Sequence, residues 1–534
     1  MKTNSFYLIL AALLVSLTAS AQKAPQVKVA EGTLEGSYES GINVFRGVPF
    51  AAPPVGELRW KAPQPAEHWQ GVRQAKEFGP NPMQEPLFGD MAFGTKKMSE
   101  DCLYLNIWTP AKTFNEKLPV LIYFNGGGLL AGSGSEPRYA GMSMARHGIV
   151  SITANYREGI FGTFAHPQLS KETSYKGSGN YCFLDQVAAI KWVHDNIAAF
   201  GGDPNRITIV GESAGSVSVS ALMASPLTKG LIAQAMGSSG SVLSSQRAVT
   251  LKDAEKQGEE IMKKIGKKNI KELRAMSAEE LMQKAHMTNM AGCVIDGYFM
   301  PKDPLEIYAN GEQAQIPLLV GGNNMESPLQ WHFGNKPATL KAFQDIAKAA
   351  FGENADAVLK AYSINSDADA NSMNANQLLG DLFIGFRTWK WADMQSRTSN
   401  QPVYRYLYCH PRPAMREKGK VGGLAGGTIE TTDGTSQPRF EGAEHSADIE
   451  YAMGNLPTNR VYDWQPDDFI VSDIFMGYYV NFIKTGNPNG LGLPDWTPTN
   501  GQQVPPVMQL DVNPYQKADA EVENRYHLLD KIYK

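Results

Sequence analysis

A predicted strand, a tight turn and a predicted helix follow one another between residues 207 and 224. Residues 207–210 are a continuous β-branched run, typical of a strand buried on both faces of a sheet, and residues 217–224 can form a helix. The turn between them reads Gly-Glu-Ser-Ala-Gly, with Ser213 at its centre. Small neighbours allow so sharp a bend that the serine hydroxyl stands clear of the backbone, beside a helix N-terminus. The segment predicts a nucleophilic serine, although the same pentapeptide also occurs in plain glycine-rich turns.

Other strand and helix patterns place this segment in a larger sheet. Apolar residues at helical spacing over residues 180–200 predict a crossover helix that Gly201 and Gly202 end. A late helix is predicted from Ser472, as its N-cap, to Lys484, with Gly486 after its end. Further buried-strand patterns occur at residues 120–124, 149–154, 317–320 and 403–409. The alternation predicts an α/β fold with a mostly parallel central sheet flanked by helices.

Two long stretches look like helical insertions into this sheet. Residues 250–290 and residues 337–398 are helically periodic, and the first is rich in Lys and Glu. Such insertions lengthen the connections between strands without adding a strand. We predict that they form a cap over the active site.

Composition indicates a large globular chain. Of 534 residues, 42% are hydrophobic and 19% are charged, which supports a large core and argues against disorder. Large α/β proteins often keep one sheet and lengthen its loops, so we expect residues 22–534 to form a single domain. The net charge of −4 offers no basic footprint for nucleic acid.

The first 21 residues predict an export signal. Lys2 supplies the positive start, residues 6–17 are apolar, and Ala19-Ser20-Ala21 has the small-x-small cleavage pattern. A membrane anchor is the alternative, but the apolar run falls short of the roughly 20 residues that span a bilayer. We therefore expect a mature chain that begins at Gln22, is periplasmic or secreted, and has no stable membrane insertion.

The cysteine pattern does not indicate a disulfide framework. The chain has four widely spaced cysteines and no C-x-x-C pair, and an exported protein with an even count could still form two bridges. Buried small hydrophobic residues are the favoured interpretation. The four are Cys102, Cys182, Cys293 and Cys409.

A triple glycine upstream of Ser213 meets one further need of a serine nucleophile. Attack by a hydroxyl produces an oxyanion that donors must stabilise. Asn125 is followed by three glycines directly after the predicted strand at 120–124, and glycines let backbone amides point into a cavity. A flexible turn is the alternative. We expect the amides of Gly127, Gly128 and Ala214 to form the oxyanion hole.

A histidine base and an acid must follow the serine, in the order acid then histidine. Glu326 lies just beyond the strand at 317–320, and His445 lies in a loop of small residues. His332, His410 and His527 occupy the same part of the chain. Spacing alone leaves the choice of acid and base open.

Six segments together resemble the type-B carboxylesterase family, which includes cholinesterase-like enzymes with the α/β-hydrolase fold. They are FRGVPFAAPPVGELRW at 45–60, EDCLYLNIW at 100–108, GNYCFLDQVAAIKWVHDNIAAFGGDPNRITIVGESAG at 179–215, IDGYFMPKDP at 295–304, GAEHSADIEYAMGNL at 442–456 and GYYVNFIKTGNPNG at 477–490. The resemblance spans about residues 25 to 530. It implies an ester hydrolase with Ser213 as nucleophile, Glu326 as acid and His445 as base. It also implies the amides of Gly127, Gly128 and Ala214 as the donors of the oxyanion hole.

The resemblance also implies structural features and shows departures. It implies two buried ion pairs, Arg46 with Glu100 and Arg157 with Asp185. The family usually has His where this chain has Asn125, an aromatic residue at Leu129, and Asp at Met325. The usual partner of Cys102 falls near Pro82-Met83, so that bridge is not expected.

The expected activity is hydrolysis of a small-molecule carboxylic ester without a cofactor or metal. Two alternatives remain: a non-catalytic adhesion domain, which relatives become after losing the serine, and an amidase or lipase on the same scaffold. Fold alone does not decide between them. Four aromatic residues are candidates to line a pocket, although the core is the more common location for such residues: Tyr298, Phe299, Trp331 and Phe333. The oligomeric state is left open.

Overall fold

A computed structural model describes residues 24–88, 90–243, 248–286, 292–334, 336–430 and 439–533. The predicted export signal at residues 1–21 lies outside the described residues. Among the described residues, no helix combines the length and apolar character that a membrane crossing requires.

Eighteen strands, numbered in chain order, are assigned within the described residues. They are β1 (Gln26–Val29), β2 (Gly32–Glu35), β3 (Ser37–Glu39), β4 (Ile42–Pro49), β5 (Val72–Gln74), β6 (Tyr104–Thr109), β7 (Leu118–Phe124), β8 (Val150–Ala154), β9 (Gly202–Glu212), β10 (Gln234–Ser238), β11 (Val249–Thr250), β12 (Val294–Ile295), β13 (Leu318–Asn323), β14 (Val403–Tyr408), β15 (Lys420–Gly422), β16 (Thr428–Glu430), β17 (Pro506–Leu510) and β18 (Tyr515–Ala518).

Eleven of these strands form one sheet, in the order β18-β17-β14-β13-β10-β9-β7-β8-β6-β4-β3. The strands from β17 to β8 in that order run parallel, and the strands at both edges are antiparallel. The carboxyl ends of the parallel strands therefore meet at one edge of the sheet, where ligands bind in open α/β folds. The mostly parallel sheet confirms the predicted α/β class.

Helices flank the sheet and fill the two predicted insertions. They are α1 (Met142–Arg146), α2 (Gly159–Thr163), α3 (Pro167–Glu172), α4 (Tyr181–Asn196), α5 (Ala214–Ala224), α6 (Leu251–Ile265), α7 (Ile270–Arg274), α8 (Ala278–Lys284), α9 (Pro304–Ala309), α10 (Leu329–Phe333), α11 (Leu340–Phe351), α12 (Ala355–Ala361), α13 (Met373–Gly380), α14 (Phe386–Thr398), α15 (Ile449–Ala452), α16 (Pro466–Thr485) and α17 (Ala520–Ile532). A π-helical turn, Asp381–Gly385, joins α13 to α14.

The late helix begins earlier than predicted. Helix α16 starts at Pro466, and Gln465 and Asp468 form a capping box in which each side chain accepts from the backbone amide of the other residue. Ser472 lies inside the helix, where its hydroxyl donates to the carbonyl of Tyr451. The predicted end is correct, because Gly486 ends the helix in a left-handed conformation with φ 76°.

One of the two ion pairs that the resemblance implies is present, and the prediction of the other is wrong. Arg157 and Asp185 are both buried and approach to 2.7 Å. Glu100 pairs instead with Arg59, at 2.6 Å. Arg46 pairs with Glu39, because β3 and β4 are antiparallel neighbours that bring the two side chains to 2.5 Å.

All four cysteines of the chain are free thiols. Cys102 and Cys182 are buried, and burial raises the pKa of both thiols well above its usual value.

Candidate active site

Strand β9 passes into helix α5 through a single strained residue, Ser213. Its backbone adopts φ 55° and ψ −122°, a conformation that non-glycine residues rarely take. A side chain at Gly211 would lie 2.3 Å from the carbonyl carbon of Gly215, and one at Gly215 would lie 2.2 Å from the carbonyl oxygen of Phe124. Glycine is therefore required on both sides of the turn. The amide of Ser213 donates to the carbonyl of Ser238 on neighbouring strand β10, at 2.9 Å.

Ser213 opens into a cavity of about 450 Å³ above the carboxyl ends of β7 and β9. Most of its wall is apolar, and the charged residues on it are few. The apolar side chains that line it are Phe88, Met91, Leu129, Val217, Phe383, Ile384, Leu424 and Ile449. A mostly apolar cavity with few convergent polar groups is the usual form of a small-molecule site.

The triple glycine follows β7 and forms one side of this cavity. Gly127 and Gly128 have φ of 106° and 70°, and a side chain at Gly127 would lie 1.7 Å from the carbonyl oxygen of Ala131. The bend is closed by the amide of Ala131, which donates to the carbonyl of Gly127 at 3.2 Å. Within the described part of the chain, no acceptor takes the amides of Gly127, Gly128 or Ala214.

Asn125 holds the glycine bend from behind. Its side-chain amide nitrogen donates to the hydroxyl of Tyr156 at 3.2 Å and to the carboxylate of Glu158 at 3.1 Å. Leu129 is buried with φ 60°, and its carbonyl accepts from the amide of Gly159 at 2.7 Å. Two of the residues that depart from the family pattern thus flank the bend, Asn125 supporting it and Leu129 lining the cavity.

Glu326 and His445 contact each other at the cavity that Ser213 lines. Glu326 follows β13, and its Oε2 lies 2.7 Å from Nδ1 of His445. Its other oxygen accepts from the hydroxyl of Ser239 at 2.5 Å and from the amide of Asn323 at 2.7 Å. Both residues are about 95% buried, with 4% and 5% exposed. The carboxylate is fully engaged, which fixes the orientation of the imidazole that lines the same cavity as Ser213.

Glu212 is a residue of the site that sequence reasoning missed. Its Oε1 lies 3.3 Å from Nε2 of His445. Burial raises the pKa of Glu212 to about 8. Burial alone lowers the pKa of His445, but the carboxylates of Glu212 and Glu326 outweigh it and raise that pKa to about 9. The groups titrate as a coupled set, and a general base requires the neutral form of the imidazole.

The π-helical turn contributes the upper wall of the cavity. The ring of Phe383 stands edge-on to that of His445, with centroids 4.9 Å apart, and Ile384 lines the cavity beside it. A π-turn inserted between two α-helices is frequent at functional sites. The insertion at 337–398 therefore reaches the site.

The described part of the insertion at 250–290 packs against the body of the protein. Its described residues do not line the cavity, although Gly292 just beyond them does. Helix α6 buries one face against the body of the protein, and Gly258 approaches so closely that a side chain there would lie 1.7 Å from the carbonyl oxygen of Ala165. Tight packing against the body leaves this insertion beside the site.

The sequence profile of the Carboxylesterase family matches residues 23–529. The chain belongs to the carboxylesterase family. It is 34% identical to carboxylesterase 1E of Mus musculus, over 91% of each chain. It is 38% identical to fumonisin B1 esterase of Sphingopyxis macrogoltabida, over 67% of this chain and 69% of the relative.

Solved carboxylesterase structures share the whole architecture. Carboxylesterase EST55 of Geobacillus stearothermophilus, at pH 6.2, superposes with a TM-score of 0.78 and 29% identity, over 95% of this chain and all of the other. A structure named PNB esterase gives a TM-score of 0.76 and 28% identity over similar shares, 95% and 100%. The α/β-hydrolase fold and the carboxylic-ester hydrolase class of this chain follow from these matches.

The rival histidines of this carboxylesterase lie outside the cavity. His332 is bonded to the hydroxyl of Ser327 at 2.7 Å, and His527 lies 3.8 Å from Glu523 on its own helix α17. His410 lies between Asp468 and Asp511. None of these histidines lines the cavity with Ser213.

The four aromatic residues proposed for a pocket do not line the cavity of the carboxylesterase. Phe299 is fully buried in the core, stacked on Phe183, and Tyr298 stacks on Tyr175. The aromatic residues that do line it, Phe88, Tyr139 and Phe383, have no distinctive sequence pattern. No cluster of three or more metal-binding side chains was found among the residues the structure describes.

Proposed function

We propose that Ser213, His445 and Glu326 are the nucleophile, the general base and the orienting acid of this ester hydrolase. The supporting observation is the 2.7 Å contact that orients His445 on Glu326 while its ring lines the cavity of Ser213. We further propose the amides of Gly127, Gly128 and Ala214 as the oxyanion hole, because these residues line the cavity of Ser213 and their amides have no acceptor in the described chain.

The reaction then proceeds by two acyl transfers. The Ser213 oxygen bonds to the ester carbonyl carbon while Nε2 of His445 takes the hydroxyl proton, and the amides stabilise the oxyanion. Collapse breaks the bond to the alcohol oxygen, which leaves with the proton from His445. Water then attacks the acyl-enzyme by the same route and releases the acid. Glu326 keeps the imidazole tautomer correct and stabilises the imidazolium.

The substrate class is a small-molecule carboxylic ester whose acyl or alcohol group fits an apolar cavity of about 450 Å³. One relative is named for fumonisin B1 and others only as carboxylesterases, so family membership does not fix the substrate. A screen of aryl, short-acyl and plant-derived esters, with matched amides, separates esterase from amidase and lipase.

Replacing Ser213 with alanine tests the proposal most directly. We expect kcat for a p-nitrophenyl ester to fall on the order of 10⁶-fold, because the nucleophile is lost, and labelling by a fluorophosphonate probe to disappear. Ser277→Ala, at the N-cap of α8 on the surface, is the matched control and should keep both. Turnover by a folded Ser213→Ala protein would refute the assignment, and a wild-type protein that resists the probe would favour an adhesion domain.

We also propose that residues 1–21 are removed on export and that residues 22–534 are one catalytic unit. The supporting observations are the signal pattern of the sequence and the sheet, whose strands extend from β3 to β18. Expression of the full chain in a bacterial host, followed by N-terminal sequencing of the exported protein, should yield Gln22 first. An uncleaved N-terminus in the periplasmic or extracellular fraction would contradict this.

A further inference from the structure

The charged side chains of the active-site cavity are paired, with one exception. Arg138 is bonded through its Nε to Glu136, and both are buried. Glu212 lies against His445. Arg387 also lines the cavity, but within the described chain it has neither an ion pair nor a side-chain hydrogen bond. The cavity therefore contains one cation whose charge the described part of the protein leaves uncompensated.

The backbone of Arg387 is held in place by its helix and by a hydrogen bond. It lies in the first turn of α14, directly after the π-helical turn. Its backbone carbonyl accepts from the hydroxyl of Ser241 at 2.6 Å. Ser241 lies in the loop after β10, two residues beyond Ser239. Burial lowers the pKa of Arg387 from its usual value, because no carboxylate offsets the lost solvation.

The wall that carries Arg387 adjoins the nucleophile. Val217 on α5 and Ile384 on the π-turn converge on Gly240, where an added side-chain carbon would lie 3.3 Å and 3.4 Å from them and 2.7 Å from the Ser213 carbonyl oxygen. Arg387 follows Ile384 by three residues, on the adjoining turn, and its side chain lines the same cavity as Ser213.

We propose that Arg387 forms an anion subsite and that this carboxylesterase acts on esters that carry a carboxylate some bonds away from the scissile ester. This inference rests on the proposed function of Ser213. A guanidinium binds a carboxylate through two parallel hydrogen bonds, and the apolar walls of the cavity strengthen that attraction because they exclude water. A neutral ester of equal size leaves the cation unpaired.

Matched ester pairs test the subsite. The first pair is ethyl hydrogen glutarate and ethyl pentanoate, which differ in the acyl group only by a terminal carboxylate. The second is 4-acetoxybutanoate and butyl acetate, which differ in the same way on the alcohol side. The measured quantity is the ratio of kcat/KM for the anionic ester to that for the neutral ester, from acid release at constant pH.

In Arg387→Met we expect this ratio to fall at least about tenfold for one of the two pairs, because the charged partner is lost. Arg387→Lys should lie between Met and wild type, since it keeps the charge but not the bidentate geometry. Arg397→Met is the matched control, because Arg397 lies on the same helix, is exposed and pairs with Asp393. A smaller fall in both pairs, or an equal loss for both esters of each pair, would overturn the proposal.

The wild-type protein supplies a second measurement that does not depend on variant folding. Glutarate should inhibit hydrolysis of ethyl pentanoate at a concentration at least about tenfold lower than neutral glutaramide does. Equal inhibition would overturn the subsite. If wild type hydrolyses none of the four esters, the proposed function itself fails; if it hydrolyses them without dependence on Arg387, only the subsite fails.

Discussion

Two histidines of this chain each lie clamped between two carboxylates, and only one of them lines the cavity of Ser213. His445 contacts Glu326 and Glu212. His410 contacts Asp511 at 2.8 Å and Asp468 at 3.0 Å. Both histidines are buried, and in both, neighbouring carboxylates outweigh burial and raise the pKa to about 9.

The surroundings distinguish the two clamps. His410 follows β14, Asp511 follows β17, and Asp468 belongs to the capping box of α16, so the His410 clamp ties three elements together. The His445 clamp adjoins a cavity and a serine in a strained turn. A perturbed histidine therefore does not mark a catalytic site by itself. What marks one is an open space in which a reacting atom can approach both the histidine and a nucleophile.

Exchanging each histidine for glutamine separates the two clamps most sharply. His445→Gln should lower kcat for a p-nitrophenyl ester on the order of 10⁶-fold, about as much as loss of the nucleophile, because the triad acts as a unit. His410→Gln should change kcat little. Comparable kcat losses in both variants, measured on folded protein, would erase the distinction.

Exchanging the acid beside each histidine should give the same contrast in kcat. Glu326→Gln should lower kcat on the order of 10⁴-fold, because an amide favours the wrong imidazole tautomer while the geometry persists. Asp468→Asn makes the equivalent exchange beside His410 and should leave kcat nearly unchanged. Steady-state kinetics on both variants tests this, and a small effect of Glu326→Gln would favour another carboxylate as the acid.

The contacts of His410 with its two carboxylates should affect the free energy of unfolding rather than kcat. Its folded pKa lies above the unfolded value, so its stabilisation is fully present below about pH 6.5 and is lost as pH rises through about 9. Allowing for screening at the partly exposed Asp511, His410→Gln should cost about 1–2 kcal/mol of unfolding free energy at pH 6 and much less at pH 9.5. Urea unfolding of both proteins at the two pH values measures the difference. An equal cost at both would contradict the charge-based account.

The smallest expected effect concerns Glu212. Glu212→Gln removes negative charge 3.3 Å from Nε2 of His445, which lowers the pKa of that imidazole. The neutral base is then available at lower pH, so the acid limb of kcat/KM should move down by about one pH unit. Glu136→Gln alters another carboxylate of the cavity, one paired with Arg138, and should not move the limb. An unmoved limb in Glu212→Gln would mean that Glu212 does not set the pKa of His445.

The sequence was sufficient for the features that depend on local pattern. The buried strands β7, β8 and β9 and the helix α4 were predicted because continuous apolar runs and helical spacing are properties of one short segment. The beginning of α16 was missed because Ser472 is a favourable cap in isolation, whereas the capping box at Gln465 provides two bonds.

Contacts between side chains that lie far apart in the sequence could not be predicted from local sequence patterns. The sequence offers Glu39 and Glu100 as partners for Arg46. Arg46 pairs with Glu39 because β3 and β4 are antiparallel neighbours in the sheet. Glu212 occupies the position that the serine motif leaves unspecified, and its partner His445 lies more than two hundred residues away. The choice of His445 over His410 rested on the family resemblance, because both histidines follow the same strand and only coordinates reveal the cavity.

The four unpaired thiols described above have a practical consequence for the handling of this carboxylesterase. Its covalent structure is complete when translation and processing end, so its assembly needs no oxidase or disulfide isomerase, and a reducing bacterial cytosol should yield active protein. The thiolate is the reactive form of cysteine, and the raised pKa of Cys102 and Cys182 keeps both in the inert thiol form. Reductants can therefore accompany the assay, and thiol-directed alkylating reagents should leave Cys102 and Cys182 unmodified.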